Sequence, residues 1–177
     1  MKENLRQTAK EIRKSISIIT LSDKIKRNLF SIEEYKYSKN IFCYYSFGDE
    51  VVTTSYFEDI SKNWYLPRVI GDEMEFCPYS KDNMVKNKYG MLEPSTSSIS
   101  DLSVADLIIV PALAADKNGF RIGYGKGYYD RFLKQLKHNP KKVVLVFSGL
   151  FIDNVYPDEY DEKCNIVVTD KEVYRVF

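Results

Sequence analysis

The sequence predicts an α/β fold: a single domain built on an open, mainly parallel central sheet with helices on both faces. Three observations predict it. Leu107-Ile108-Ile109-Val110 is a continuous, largely β-branched run, the pattern of a strand buried on both sides. Val143 to Phe147 repeats that pattern after an intervening helical segment. Strand-like and helix-like stretches then alternate along the chain, which favours parallel pairing through helical crossovers. The 177 residues suffice for one substantial core and fall short of two ordinary domains. No internal repeat or Pro/Gly-rich linker divides residues 1–177.

The elements follow in order. Leu5, Ala9, Ile12, Ile16 and Ile19 step by four, three, four and three, laying one apolar stripe along a helix. Lys2, Arg6, Lys10 and Arg13 form a basic row on a different face, and a basic helical row is ordinarily solvated. A shorter helix is expected from about Asp23, with Ser22 as its N-cap. Ile41 to Phe47 reads as a buried strand, Thr53 to Asn63 as a helix, and Trp64–Leu66 and Met74–Phe76 as short strands. Ser95 to Ser103 is rich in Ser and Thr, hence a surface loop. A helix is expected from Tyr128 to Leu136, and short strands at Ile166–Thr169 and Val173–Val176.

Composition excludes several classes of function. Apolar residues make up 44% and charged residues 29%, a globular balance. The formal net charge is +1, and a protein that neutralises a nucleic-acid backbone ordinarily carries a large positive excess. The apolar stretch from Val104 to Ala115 is broken by Asp106 and Pro111 and is too short for a bilayer, so no membrane partner is expected. Cys43, Cys77 and Cys164 are far apart with no C-x-x-C pair, which points to reduced, buried thiols. The opening MKENLRQTAKEIRK has no apolar signal-peptide core, so a cytoplasmic location is expected. No long exposed apolar stripe demands a second subunit, and a monomer is expected.

The chemistry concentrates between Val110 and Arg131. Four of the eight glycines, Gly119, Gly123, Gly125 and Gly127, fall within nine residues of one another. Each loses more backbone freedom on folding than any other residue type would, so such clustering makes sense where backbone must approach a ligand or adopt positive φ. The loop leaves a core strand and enters a helix N-terminus, where unpaired N–H groups attract anions. Arg121 and Lys126 add two positive charges, and phosphate is the natural ligand. The spacing is neither a Walker A loop, since Gly127 rather than Ser or Thr follows Lys126, nor the G-x-G-x-x-G dinucleotide fingerprint. A glycine-rich turn with no ligand is the alternative.

The same stretch resembles the signature of the 5-formyltetrahydrofolate cyclo-ligase (5,10-methenyltetrahydrofolate synthetase) family, roughly D-x-x-G-x-R-[LI]-G-x-G-x-G-Y-Y-D-R after a strand ending in V-P. Asp116, Gly119, Arg121, Gly123, Gly125, Gly127, Tyr128, Tyr129, Asp130 and Arg131 match it in order. Lys2-x-x-Leu5-Arg6, Tyr45-Ser46 with Glu50 and Thr53, Leu66-Pro67, Met74-x-Phe76 and Gly90-Met91-x-Glu93-Pro94 are similar to further family segments. Asp161 falls where the family has an aspartate, preceded here by Tyr160 where a histidine is common.

The resemblance implies a NagB/RpiA/CoA transferase-like fold and ATP-dependent closure of 5-formyltetrahydrofolate to 5,10-methenyltetrahydrofolate, with release of ADP and phosphate through a phosphorylated formyl group. It implies that Lys2, Arg6, Arg121, Gly123, Gly125, Lys126, Gly127, Tyr128, Tyr129 and Asp130 bind ATP, with Arg121 and Lys126 catalytic. Asp130 and Asp161 would hold Mg2+, and Tyr45, Glu50, Tyr128 and Tyr129 would bind the folate. Plainer roles stand beside these: Asp130 as a first-turn acid of its helix, Asp161 as a loop carboxylate, and one of the two tyrosines in the core. Trp64 reads as core, and His138 has no catalytic role. A binding module that holds a nucleotide or sugar phosphate without turnover is the competing function.

Overall fold

The computed structural model describes all 177 residues. Its element order is α1 (Lys2–Lys14), α2 (Ile18–Ser31), α3 (Glu33–Tyr37), β1 (Asn40–Cys43), β2 (Asn63–Ile70), β3 (Glu73–Pro78), β4 (Met84–Lys86), β5 (Leu92–Pro94), β6 (Leu107–Pro111), β7 (Ala114–Asp116), β8 (Arg121–Ile122), α4 (Tyr128–Lys134), β9 (Lys141–Leu145), β10 (Phe151–Ile152), β11 (Ile166–Val168) and β12 (Val173–Arg175). Seven strands form one sheet in the order β12-β11-β9-β6-β1-β2-β3. The five inner strands are parallel, and β12 and β3 close the edges antiparallel. The expected open, mainly parallel α/β sheet is therefore present.

Register assigns the two faces. Ile41 of β1 pairs with Trp64 and Leu107, and Phe42 with Tyr65 and Ile108, so side chains alternate between faces strand by strand. On one face Trp64 meets Tyr35 of α3, which stacks on Phe30 of α2 at 4.1 Å. On the other, Phe76 stacks on Phe42 at 4.7 Å and meets Phe132 of α4 at 4.7 Å. Helices thus cover both faces, and burying each ring contributes about 2 kcal/mol. Leu107 to Val110 are fully buried, as a central parallel strand requires.

Several sequence expectations need correction. The stripe through Ile19 does not belong to one helix. The chain breaks at Ser15, whose hydroxyl donates to the Ile12 carbonyl at 2.8 Å, and short polar side chains that bond nearby backbone favour such breaks. Ile19, after the break, is 72% exposed. The second helix begins earlier than Asp23, and Ser22 lies inside it, buried, accepting the Val52 amide at 2.9 Å. The helix expected over Thr53–Asn63 is only a 3-10 turn at Tyr56–Glu58. The reason is Thr53, fully buried, whose hydroxyl donates to the Tyr44 carbonyl and accepts the Ser46 amide, tying the segment to the end of β1. That same tie ends the strand at Cys43 rather than Phe47. The β4–β5 hairpin and the β10-β7-β8 sheet were not foreseen, because their strands are only two or three residues long.

The sheet order places the site. From β1 the chain moves outward to β2 and β3, then returns to β6 on the other side and continues outward to β9 and β11. The winding direction reverses between β1 and β6, and in open α/β sheets ligands bind beyond the carboxyl ends of the strands at such a point. Residues 44–53 leave the end of β1 there. Residues 112–127 leave the end of β6.

Candidate functional site at the reversal point

The glycine-rich loop is built from a hairpin. Asp116 is fully buried, and its carboxylate accepts the amides of Asn118, Phe120 and Val155 at 3.0–3.2 Å. This makes the turn between β7 and β8 and fastens it to the segment after β10. At Gly119, with φ +86°, a Cβ would stand 2.3 Å from the Cys164 carbonyl oxygen. Gly119→Ala is therefore expected to destabilise the fold by about 2–4 kcal/mol, read as a lowered midpoint in chemical denaturation, since backbone strain and a backbone clash add.

Arg121 stands on β8, 6% exposed, and reaches the first turn of α4. Its Nη2 donates to Asp130 Oδ1 at 3.4 Å, and its guanidinium lies 5.5 Å from the centre of the Tyr129 ring. Its Nε is buried without a partner, and so is the Tyr129 hydroxyl. Burial holds the Tyr129 phenol far above its usual range, so the hydroxyl stays a donor. Two orphaned donors in one buried place are an unfinished hydrogen-bond set, of the kind a ligand completes. Gly127 precedes α4 with φ +71°, which glycine adopts freely. Arg131 closes over this turn, donating to the carbonyls of Lys126 and Asp72 at 2.8 Å, beside the Tyr128 ring. The Lys126 side chain is exposed and makes no hydrogen bond.

The first helix delivers further cations to the same place. Arg6 Nε donates to the Gly123 carbonyl at 3.0 Å, and its guanidinium lies beside Gly125. Lys2 Nζ donates to Asp158 at 2.7 Å and Asp161 at 2.6 Å. Burial alone would lower the Lys2 pKa, but these two carboxylates outweigh it and hold the ammonium above its usual value. Three cations of the basic row, Lys2, Arg6 and Arg13, are thus engaged within the fold, while Lys10 stays exposed. Arg13 departs furthest from that expectation, being 3% exposed.

Opposite the loop, the turn Gly48–Glu50 presents Glu50. Its Oε1 accepts the Phe47 amide at 2.8 Å. Burial raises its pKa to about 7, against the lowering effects of the Phe47 amide and Arg13, with Asp49 pushing upward. Tyr45 stacks on Phe57 with centroids 5.7 Å apart. Trp64 is 5% exposed in the core, and His138 meets only the Ala105 carbonyl. Loop and turn were both legible in the sequence. Missed were Tyr124, whose hydroxyl accepts from Arg13, and the buried place of Arg13 itself. The signal available was spacing: position 13 lies two helical turns beyond Arg6, on the same side of α1.

A cavity of about 400 Å³ lies elsewhere, at the opposite end of β2, lined by Phe57, Trp64, Tyr65 and Tyr79 among others. Its two charged residues are already engaged. Asp59 accepts from Tyr35 and Ser61, and Lys62 donates to three backbone carbonyls. It offers no free charged group for chemistry.

Asp130 and Asp161 lie close, since Asp130 Oδ1 accepts the amide of Glu162 at 3.1 Å. One oxygen of each carboxylate is engaged within the protein, leaving Asp130 Oδ2 and Asp161 Oδ1 free of protein partners. No group of three or more His, Cys, Asp or Glu is placed to hold a metal ion. Two carboxylates without a cage suit magnesium, which binds one or two carboxylates together with substrate phosphates and water.

The chain is similar to known proteins along nearly its whole length. The model of the 5-formyltetrahydrofolate cyclo-ligase family matches residues 1–170. The chain belongs to this family. The family's name is that of a ligase, and its folate chemistry is the one the motif resemblance implies. The solution structure of 5,10-methenyltetrahydrofolate synthetase from Aquifex aeolicus superposes with a TM-score of 0.87 at 32% identity, covering 99% of this chain and 92% of that one. The structure of the 5,10-methenyltetrahydrofolate synthetase from Mycoplasma pneumoniae gives 0.78 at 25% identity, covering 96% and 98%. The 5-formyltetrahydrofolate cyclo-ligase of Mus musculus is 28% identical over 185 aligned positions, covering 95% of this chain and 89% of its own. The chain has no helix long and apolar enough to cross a membrane.

Proposed function

We propose that this chain, acting as a single domain, converts 5-formyltetrahydrofolate to 5,10-methenyltetrahydrofolate at the expense of ATP. The observation that carries the reading is the meeting of Arg6, Arg121 and the glycine-rich loop on one side of the reversal point with Glu50 on the other. A cationic loop with orphaned donors suits a triphosphate. A buried carboxylate with one oxygen free suits the planar donor edge of a pterin.

The chemistry follows from the leaving group. A formyl oxygen leaves poorly, so it is first phosphorylated: a bond forms between that oxygen and the γ-phosphorus as the bond from the γ-phosphorus to ADP breaks. N10 of the folate then attacks the formyl carbon and loses its proton, the carbon–oxygen bond breaks, and inorganic phosphate departs. Such a path needs in-line alignment, charge neutralisation and exclusion of water. Arg121, fixed between Asp130 and Tyr129, neutralises the transferring phosphoryl group, and Lys126 and Arg6 hold the outer phosphates. Lys2, now paired with Asp158 and Asp161, stands where a phosphate can share its ammonium. Asp130 and Asp161 would hold Mg2+, which supplies charge neutralisation between the phosphates when bound. Glu50 orients the pterin, with Tyr45 and Tyr128 beside it and the Tyr129 hydroxyl as a donor toward the reacting groups.

Purified protein given ATP, magnesium and 5-formyltetrahydrofolate is expected to produce the near-ultraviolet absorbance of the methenyl product. ATP binding without that product would favour a non-catalytic module. The Lys126 ammonium makes no hydrogen bond or ion pair in the fold, so Lys126→Ala is expected to raise the ATP KM about tenfold while leaving the folate KM and the melting temperature in place.

A further inference from the structure

We infer that Arg13 is a positioning residue that straps the glycine-rich loop to the Asp49–Glu50 turn, so that each substrate, on binding, organises the segment that receives the other. The inference rests on the reading above, because it takes those two segments as the seats of two substrates.

The geometry is specific. Arg13 Nη1 donates to the Tyr124 hydroxyl at 2.9 Å and to Asp49 Oδ1 at 3.2 Å, and Nη2 donates to the Ala112 carbonyl at 2.7 Å. One guanidinium therefore joins the middle of the glycine-rich loop, the residue beside Glu50, and the exit of β6. Its Cζ lies 5.8 Å from the centre of the Phe147 ring, packed inside the molecule. None of the hydrogen bonds of Arg13 goes to Glu50, Arg121 or Tyr129.

Physical cost argues that the strap serves more than stability. Burying a guanidinium carries a desolvation penalty that an ion pair ordinarily only offsets, and well-packed apolar residues stabilise such positions at least as well. Here the penalty is not fully offset. Arg13 Nε has no partner, and Asp49 is half exposed, which weakens that pair. What the arginine provides, and an apolar residue could not, is a fork with several donors that joins two glycine-containing segments at defined positions. Gly123 and Gly125 flank Tyr124, and Gly48 precedes Asp49, so both strapped segments contain backbone with a wide conformational choice that each additional tie narrows. Ordering one of them through Arg13 lowers the entropy cost of ordering the other, which is positive coupling between their ligands.

The test measures coupling directly. Calorimetry gives the affinity for 5-formyltetrahydrofolate alone and with a saturating non-hydrolysable ATP analogue, for the wild-type chain, Arg13→Met and Tyr124→Phe. In the wild type the analogue is expected to tighten folate binding by about fivefold or more, and in both variants the factor falls toward one. Turnover should show both KM values rising together, although neither Arg13 nor Tyr124 need touch either ligand. Tyr124→Phe removes one hydroxyl from a half-exposed ring, so it decides the matter if Arg13→Met does not fold. A wild type that turns over folate without coupling, or a Tyr124→Phe variant that keeps the full factor, overturns the strap and leaves the proposed function standing. A wild type that binds neither ligand overturns the proposed function, and the strap with it.

Discussion

Arg121→Ala is expected to lower kcat/KM by about a thousandfold, in a protein whose nucleotide affinity falls far less. Arg121 is fixed before any ligand arrives: Asp130 anchors one nitrogen, the Tyr129 ring faces the guanidinium, and β8 holds the backbone. A preplaced cation beside a transferring phosphoryl group acts mainly on the transition state, where charge spreads over the equatorial oxygens, and such groups are worth roughly 10²–10⁵ in rate. Arg121→Lys should recover little, because a single ammonium cannot bond Asp130 and a phosphoryl oxygen in the same fork. The measurement is single-turnover formation of the methenyl product at saturating ATP. An Arg121→Ala rate within tenfold of wild type would remove Arg121 from the chemistry. Circular dichroism must accompany it, since Asp130 loses a partner.

Glu50→Gln is expected to raise the folate KM by about 10–100-fold while making the protein more stable at alkaline pH. The affinity loss follows from replacing charge-assisted hydrogen bonds to the pterin by neutral ones. The stability gain follows from linkage. Burial lifts the Glu50 pKa in the fold to about 7, above its ordinary value of 4.5. The stability tied to this group is therefore fully present below pH 4.5 and is lost as pH rises through 7. Glutamine escapes that loss, so the variant should melt a few degrees higher at pH 8, for about 1–3 kcal/mol, and match the wild type at pH 4. In the wild-type enzyme the folate KM should fall as pH rises from 6 to 8, because the donor edge of the pterin favours the ionised carboxylate. An unchanged folate KM in Glu50→Gln would sink the pterin assignment. Equal melting temperatures at pH 8 would sink the account of its burial.

Much of this was legible in the residues. The buried runs at Leu107–Val110 and Val143–Phe147 marked the centre of the sheet, since only strands covered on both faces read as continuous apolar stretches. The glycines and cations from Gly119 to Arg131 marked the loop, because no stability argument favours them. What was hidden depended on contacts distant in sequence. The Thr53 hydroxyl cancels a helix by bonding a strand end nine residues earlier. Arg13 looked like a solvated cation because its acceptors lie 36 to 111 residues away. The acidic partners of Lys2 lie at 158 and 161, and no periodicity within the first helix encodes them.

That last contact has a consequence for biosynthesis. Lys2 and Asp161 are separated by 159 positions, so Lys2 is synthesised long before its partner. A nascent chain can therefore pair β1, β2, β6 and β9 well before Lys2 meets its acidic partners, and a truncated product ending ahead of Asp158 would lack both those carboxylates and the strands β11 and β12.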